Sequence, residues 1–312
     1  MDLNELIEDD KENEEENINS VSDKDLPWDG ETENNSTEPV LFEENEDAES
    51  DNNYILNREK FAAFMDVMHI LKISCNNVVI TDGMIRQFSN NKSCVIEMDL
   101  TNLLDSNANL IIGGINKKCE LLEPFRKQNV DVMLKIDKEK YRFMDNRSKL
   151  EFAHHLASSV KEDKYFSEEE LSQILKIHGD PIFNISMDRS ILDRLDAYQK
   201  SLAANRLYLQ FQKDKAKFSM STMDQSNSTN VVLLTLSSEL NRTDLEMRVY
   251  MGMMAFLSCF NSSINELEIQ FFNCKISRLG DTFCIVINTE IEIKGCEQGI
   301  PIRILAPARN DD

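Results

Sequence analysis

The chain has 312 residues, 41% of them hydrophobic, and a formal net charge of −22 at pH 7. That length suffices for one large or two compact domains with a real core, and the longest apolar runs fall well short of the ~20 residues a bilayer-spanning helix needs. Residues 1–53 hold 21 Asp and Glu against Lys11 and Lys24, a net −19, which leaves the other 259 residues near neutral at −3, so the acidity does not exclude a nucleic-acid partner.

Residues 1–53 are rich in Glu, Asp, Asn and Ser, have few bulky apolar residues and hold no period, so we expect a disordered acidic tail. Its start, MDLNELIEDD, is acidic where a signal peptide is basic and then apolar, which points to an intracellular, cytoplasmic location. One island, Asp23-Lys24-Asp25-Leu26-Pro27-Trp28-Asp29, holds the chain's single tryptophan. It reads either as a peptide that folds on a partner or as a solvated accident.

Beyond the tail a layout recurs. Around NREKFAAFMDVMHILK, from Asn57, the residues Phe61, Phe64, Met65, Met68 and Leu71 keep three-four spacing and predict an amphipathic helix. Three strand-like runs follow, NNVVITDG, MIRQFSN and SCVIEMDL, with Asp82-Gly83 as a hairpin turn. A second helix is expected from about Gly113, then the strands VDVMLKID, KYRFMD and SKLEFA. In the last pair, Tyr141–Met144 and Lys149–Phe152 alternate apolar and polar residues around the polar corner Asp145–Ser148, a hairpin signature.

A connector is expected over 154–181, carrying one short helix with a Ser167/Glu170 capping box, a stripe of Leu171, Ile174 and Leu175, and Gly179 and Pro181 at its end. The layout then returns. IFNISM precedes a helix from Asp188 with Ile191, Leu192, Leu195, Tyr198 and Leu202 on one face. RLYLQFQ, KAKFSMST and NVVLLTLS follow, then a helix from Asp244 with a Thr243/Glu246 capping box, then INELEIQFF, CKISRL and TFCIVINTEIEI. Both pairs of helix starts, 57 and 188, 113 and 244, lie 131 residues apart. A two-fold duplication is the economical reading.

No catalytic signature stands out. No phosphate-cradling glycine loop, nucleophile elbow, HExxH or EF-hand pattern occurs, and neither an enzyme nor a cofactor is expected. Cys75, Cys94, Cys119, Cys259, Cys274, Cys284 and Cys296 are scattered singly, without zinc spacing, and read as reduced, buried thiols. The adjacent His154 and His155 point to opposite sides of an extended chain, which does not suit a metal. His69 falls within the first amphipathic helix and His178 beside a glycine, where structural or exposed roles are the commoner ones.

Two copies of helix, three strands, helix, three strands resemble the DNA sliding clamp. In phage-type clamps the strand pair closing the first subdomain ends in Asp-x-Arg-Ser-x-aliphatic-x-aromatic, and here Asp145-Asn146-Arg147-Ser148-Lys149-Leu150-Glu151-Phe152 follows that order. ELLEPFRKQNVDVMLKID is similar to the clamp segment in which a helix leads through an acid-rich loop into a strand. The resemblance spans roughly residues 54–306 and is of the proliferating cell nuclear antigen kind. It implies an α+β DNA-clamp fold with two similar subdomains, 54–153 and 182–312, each with helices on one face of a curved antiparallel sheet. It further implies a homotrimeric ring around duplex DNA, a replicative polymerase and a clamp loader as partners, and a host-cell cytoplasm if the chain is phage-encoded.

In such a ring the helices line the hole and offer phosphates Lys and Arg without reading bases. The helix-borne bases are Lys60, Lys72, Lys117, Lys118, Arg126, Lys127, Arg189, Arg194, Lys200, Arg242 and Arg248. In related clamps the partner-peptide pocket lies on the outer face near the connector and the chain's end, where Ile174, Leu175, Pro301 and Pro307 fall. The acidic tail fits a regulator that competes with DNA, or a tether that presents Leu26, Pro27 and Trp28. Three other readings stay open: a monomeric clamp-like processivity subunit, a non-DNA viral adaptor or structural protein, and an enzyme whose site is assembled from distant residues.

Overall fold

The structure, a computed structural model, describes residues 52–310 apart from 138–139, 146, 148–149, 156–164, 203–204, 213–214, 222–231, 237–245 and 278. The expected acidic tail with Trp28, the corner residues Asn146, Ser148 and Lys149, and Arg242 therefore lie outside the described residues. The first half runs β1 (Asn52–Leu56), α1 (Arg58–Leu71), β2 (Val78–Thr81), β3 (Met84–Phe88), β4 (Val95–Asp99), β5 (Leu110–Ile112), α2 (Ile115–Gln128), β6 (Val132–Ile136), β7 (Lys140–Met144) and β8 (Glu151–His155). After α3 (Glu168–Ile174) come β9 (Leu175–Asp188), α4 (Arg189–Leu202), β10 (Arg206–Gln212), β11 (Lys215–Ser221), β12 (Val232–Leu236) and β13 (Glu246–Gly252). The second half ends with α5 (Met253–Leu257), a 3-10 turn at Ser258–Phe260, β14 (Ile264–Ile276), β15 (Gly280–Ile291) and β16 (Ile300–Asn310).

Strand order displays the duplication that residue identity hides. The order β1-β6-β7-β8 recurs as β9-β14-β15-β16, and β5-β2-β3-β4 recurs as β13-β10-β11-β12. All of these pairs are antiparallel, and the halves join where β16 pairs β4 from Ile302↔Met98 to Leu305↔Val95. Two prolines fit this join. Pro301 and Pro307 pair β15 on one side but lie just beyond the stretch that β4 covers on the other, so their missing N–H groups cost no ladder bond to β4.

Helices α1, α2, α4 and α5 pack on one side of the sheets. α1 starts where the Asn57 side chain accepts the Lys60 N–H at 2.9 Å, and it buries Phe61, Phe64, Met65, Met68 and Leu71. Phe61 and Phe64 meet Phe143 of β7 at ring separations of 6.2 and 5.6 Å. A smaller apolar cluster covers the opposite sheet face, where Phe166 and Leu171 sit with Val95, Phe272, Val286 and Leu305. The capping box of α3 is formed, with the Ser167 and Glu170 side chains each accepting the other's backbone N–H. In the β7–β8 hairpin, buried Asp145 accepts the Arg147 N–H at 2.9 Å and donates its own N–H to the Leu150 carbonyl. This aspartate builds the corner.

Four sequence expectations are corrected. The helix expected from Asp244 is strand β13 over Glu246–Gly252, because Val249 and Met251 are buried in alternation and the whole run pairs β10. Helix starts Arg58 and Arg189 do lie 131 residues apart, but Ile115 and Met253 lie 138 apart. INELEIQFF and the Cys274–Ile276 part of CKISRL belong to the single strand β14, and the third strand of the set is β16. The connector helix ends at Ile174, and Leu175–His178 extends along β14 up to an irregularity in the pairing, beside which Gly179 takes φ +68°. Strands β1 and β5, absent from the periodicity reading, complete the first half. Among the described residues no helix is long and apolar enough to cross a membrane.

Candidate nucleic-acid interface

Helices α1 and α2 run antiparallel. Arg126 donates to Asp66 at 2.8 Å, while His69 Nε2 lies 3.9 Å from Glu123, so position rises along α1 as it falls along α2. The middle of this seam is a charge network. The Arg126 guanidinium also meets His69 Nδ1 at 3.2 Å; a guanidinium only donates, so Nδ1 accepts and the imidazole is neutral. Burial, then Lys72 and Arg126, push the His69 pKa below its ordinary value. Burial raises that of Asp66 and outweighs the opposing pull of Arg126.

Lys72, Lys117 and Lys127 are exposed, Lys60 is half-buried, and the first turn of α2 carries no carboxylate, so the positive end of its helix dipole adds to Lys117. Lys118 differs from its neighbour. It is buried with its ammonium 5.4 Å from the Phe152 ring centroid, and burial, then Lys117, lower its pKa.

In the second half the cations are largely engaged. Arg189 donates to the carbonyls of Phe260, Asn261 and Ile264 at 3.2, 2.7 and 3.0 Å and pairs with Asp193, which clasps the start of α4 to the turn before β14. Lys200 pairs with Asp196 at 2.6 Å. Arg194 is exposed, its Nε near the Ser190 carbonyl at 3.3 Å. Arg248 lies on β13 rather than on a helix, its guanidinium 4.2 Å from the Tyr208 ring centroid.

On the other sheet face, along the β16–β4 join, runs a groove of about 520 Å³ whose lining includes Met84, Met98, Leu171, Leu175, Pro301 and Leu305. Its floor carries Glu97, buried between Arg86 at 2.6 Å and Arg303 at 3.3 Å. Leu175 and Pro301 thus line one groove, Ile174 packs against the apolar cluster beside it, and Pro307 lines a separate cavity. Sequence reasoning missed the Glu97 trio. Arg303 is 206 residues from its partner, and no local pattern links them.

No protein-family model and no curated protein matches the sequence. Among solved structures, the fold matches the proliferating cellular nuclear antigen of Entamoeba histolytica with a TM-score of 0.58 and 10% identity, over 83% of this chain and 98% of that one. It also matches the PCNA2–PCNA3 complex of Sulfolobus tokodaii with a TM-score of 0.56 and 12% identity, over 82% and 99% of the two chains. The chain therefore has the PCNA-like DNA-clamp fold.

Proposed function

We propose that this chain is a sliding clamp that encircles duplex DNA, reads no sequence and tethers a replicative polymerase. The observation that carries the reading is the repeated strand order. β16 and β4 meet inside one chain, while their counterparts β8 and β12 each pair only one neighbour among the described strands. Pairing β8 of one copy with β12 of the next repeats the internal join and covers both of these edges. Three copies, six halves, is the closure that the clamp resemblance implies. The divisions 54–153, 154–181 and 182–312 belong to this reading.

The helical layer is then the DNA-facing surface, with Lys60, Lys72, Lys117, Lys127, Arg194 and Lys200 toward phosphates and Arg242 proposed with them. Lys118, Arg126, Arg189 and Arg248 hold the protein's own groups first. Weak contacts suffice, because linkage rather than affinity keeps a ring on DNA. The groove along the join lies near the connector and the last strand, as the partner-peptide pocket does in related clamps, and we assign the polymerase peptide to it.

Light scattering across a range of concentrations tests the ring: the expected mass is about three times the chain's 36.0 kDa. Protein loaded on circular DNA is then expected to stay, and on linear DNA to run off the ends. A persistent monomer with salt-dependent DNA binding would replace the ring by a monomeric processivity subunit. A monomer that neither retains DNA nor stimulates a polymerase would sink both.

A further inference from the structure

On the sheet face that carries the groove, Arg86, Glu97, Arg303 and Asn288 stand in one row of partners across β3, β4, β16 and β15. Two residues along the same strands, about 7 Å away, the row is apolar: Phe88, Val95, Leu305 and Val286. Leu171 of α3 and Leu175 at the start of β9 pack into the cluster that holds Val95, Val286 and Leu305. A polar strip and an apolar strip therefore run side by side under the connector.

The polar strip is short of negative charge. Among the described residues Glu97 is the one carboxylate in ion-pair contact with either arginine, so two cations share one anion. Their contacts to Glu97 use Nε of Arg86 and Nη1 of Arg303, and no other side-chain hydrogen bond of either arginine is formed among the described residues. A guanidinium carries five N–H groups. The Arg86 side chain is only 12% exposed, and so enclosed a cation with one bond made is under-satisfied. The two other carboxylates of the lining do not relieve it. Asp99 accepts the Thr101 N–H and hydroxyl at 2.9 and 2.6 Å, and Glu168 stands in the first turn of α3. Lys176 adds an exposed positive charge at the rim.

We propose that the groove selects a partner peptide in which an aspartate or glutamate stands two residues from a bulky apolar side chain, which rests on the groove being the polymerase-peptide site and gives that peptide its chemistry. In an extended peptide, side chains two residues apart share a side and lie about 7 Å apart. Arg303 and Leu305, both in the groove lining, have that spacing on β16. The peptide carboxylate takes the N–H groups of Arg86 and Arg303 that Glu97 does not use, as charge-assisted bonds. The apolar side chain goes against Leu171, Leu175 and Leu305.

Selection from a random linear-peptide library with the full chain as bait tests it. Enriched peptides are expected to share an acid and a large apolar residue at that spacing. An enriched peptide with one acid, blocked at both ends so that no terminal carboxylate remains, should bind in calorimetric titration about tenfold more tightly than its copy with the acid changed to the amide. In Arg303→Gln the two peptides should bind alike, and the unfolding midpoint should hold, because Arg86 still pairs with Glu97. Lys176→Gln removes an equal charge from the rim and should keep the preference. Ser172→Trp, at an exposed position of the groove wall, should abolish binding of both peptides. A selection without enrichment, or peptides that bind Ser172→Trp as they bind the unaltered chain, would sink the groove reading itself. Peptides that need the groove but show no preference for an acid, keep that preference in Arg303→Gln, or lose it in Lys176→Gln would overturn the proposal and leave that reading standing.

Discussion

In the first half the sheet β1-β6-β7-β8 is built of five-residue strands, whereas its counterpart strands β9, β14, β15 and β16 have 14, 13, 12 and 11 residues. The first helices, α1 and α4, both have 14 residues, while the second go the other way, for α2 has 14 residues and α5 has five. Strand order is thus the shared constraint, because each edge must find its partner, while element length is free to drift. Charge follows length. α2 presents Lys117 and Lys127 on its exposed surface, and the sequence of α5, MMAFL, holds no charge, so this pair of helices contributes proposed DNA-facing cations only in the first half.

The largest effects would come from asking whether the two cores are equivalent despite this difference. Phe143, packed on Phe61 and Phe64, and Phe271, packed on Phe211 and Phe283 at 4.9 and 5.0 Å, are both fully buried. Truncating either to Ala should cost about 3–5 kcal/mol in urea unfolding. A much smaller loss at one of them would show that its half contributes less than its burial suggests.

The charge asymmetry can be sharpened through salt dependence. Removing Lys72, Lys117 and Lys127 together should flatten the slope of log affinity against log salt by about 0.9 per lysine for duplex DNA. Arg189→Ala should leave that slope unchanged and instead destabilise the chain by about 1–3 kcal/mol, since it takes a donor from three carbonyls. The reverse pattern would make Arg189 a phosphate contact and the lysines bystanders.

The smallest effect is confined to the α1–α2 seam. Because folding holds His69 below its ordinary 6.5, the unfolded chain takes up a proton that the folded seam refuses as pH falls through that value. Stability tied to neutral His69 is therefore present above about pH 6.5 and declines below it. His69→Gln should flatten this part of the stability–pH curve, measured between pH 5 and 8, with no counterpart in the second half.

Much of the architecture is legible in the sequence where a local pattern suffices. The three-four spacing and Asn57 cap specify α1, and Asp82-Gly83, at φ +52° and +72°, makes the hairpin turn its residue types favour. Strand β13 resists such reading because its methionine-rich run satisfies both periods: Met247, Tyr250 and Met251 suit a helix stripe, while Val249 and Met251 alternate as a strand. Pairing with β10 decides. In β16, Pro301 and Pro307 argue against a strand until it is seen that β4 pairs only the residues between them.

The candidate surfaces divide the same way. The sequence by itself determined the segregation of negative charge into residues 1–53, the amphipathic faces of α1 and α4, and the bases those helices and α2 carry. Only the tertiary structure decided which of those bases remain available, since Arg126 meets Asp66 60 residues away and Arg189 meets Asn261 72 away. Local spacing fixes which residues share one helix face or strand face, over distances of a turn or two. Ion pairs and the groove along the join depend on which distant segments pack together, and that is set by burying both halves' apolar faces at once.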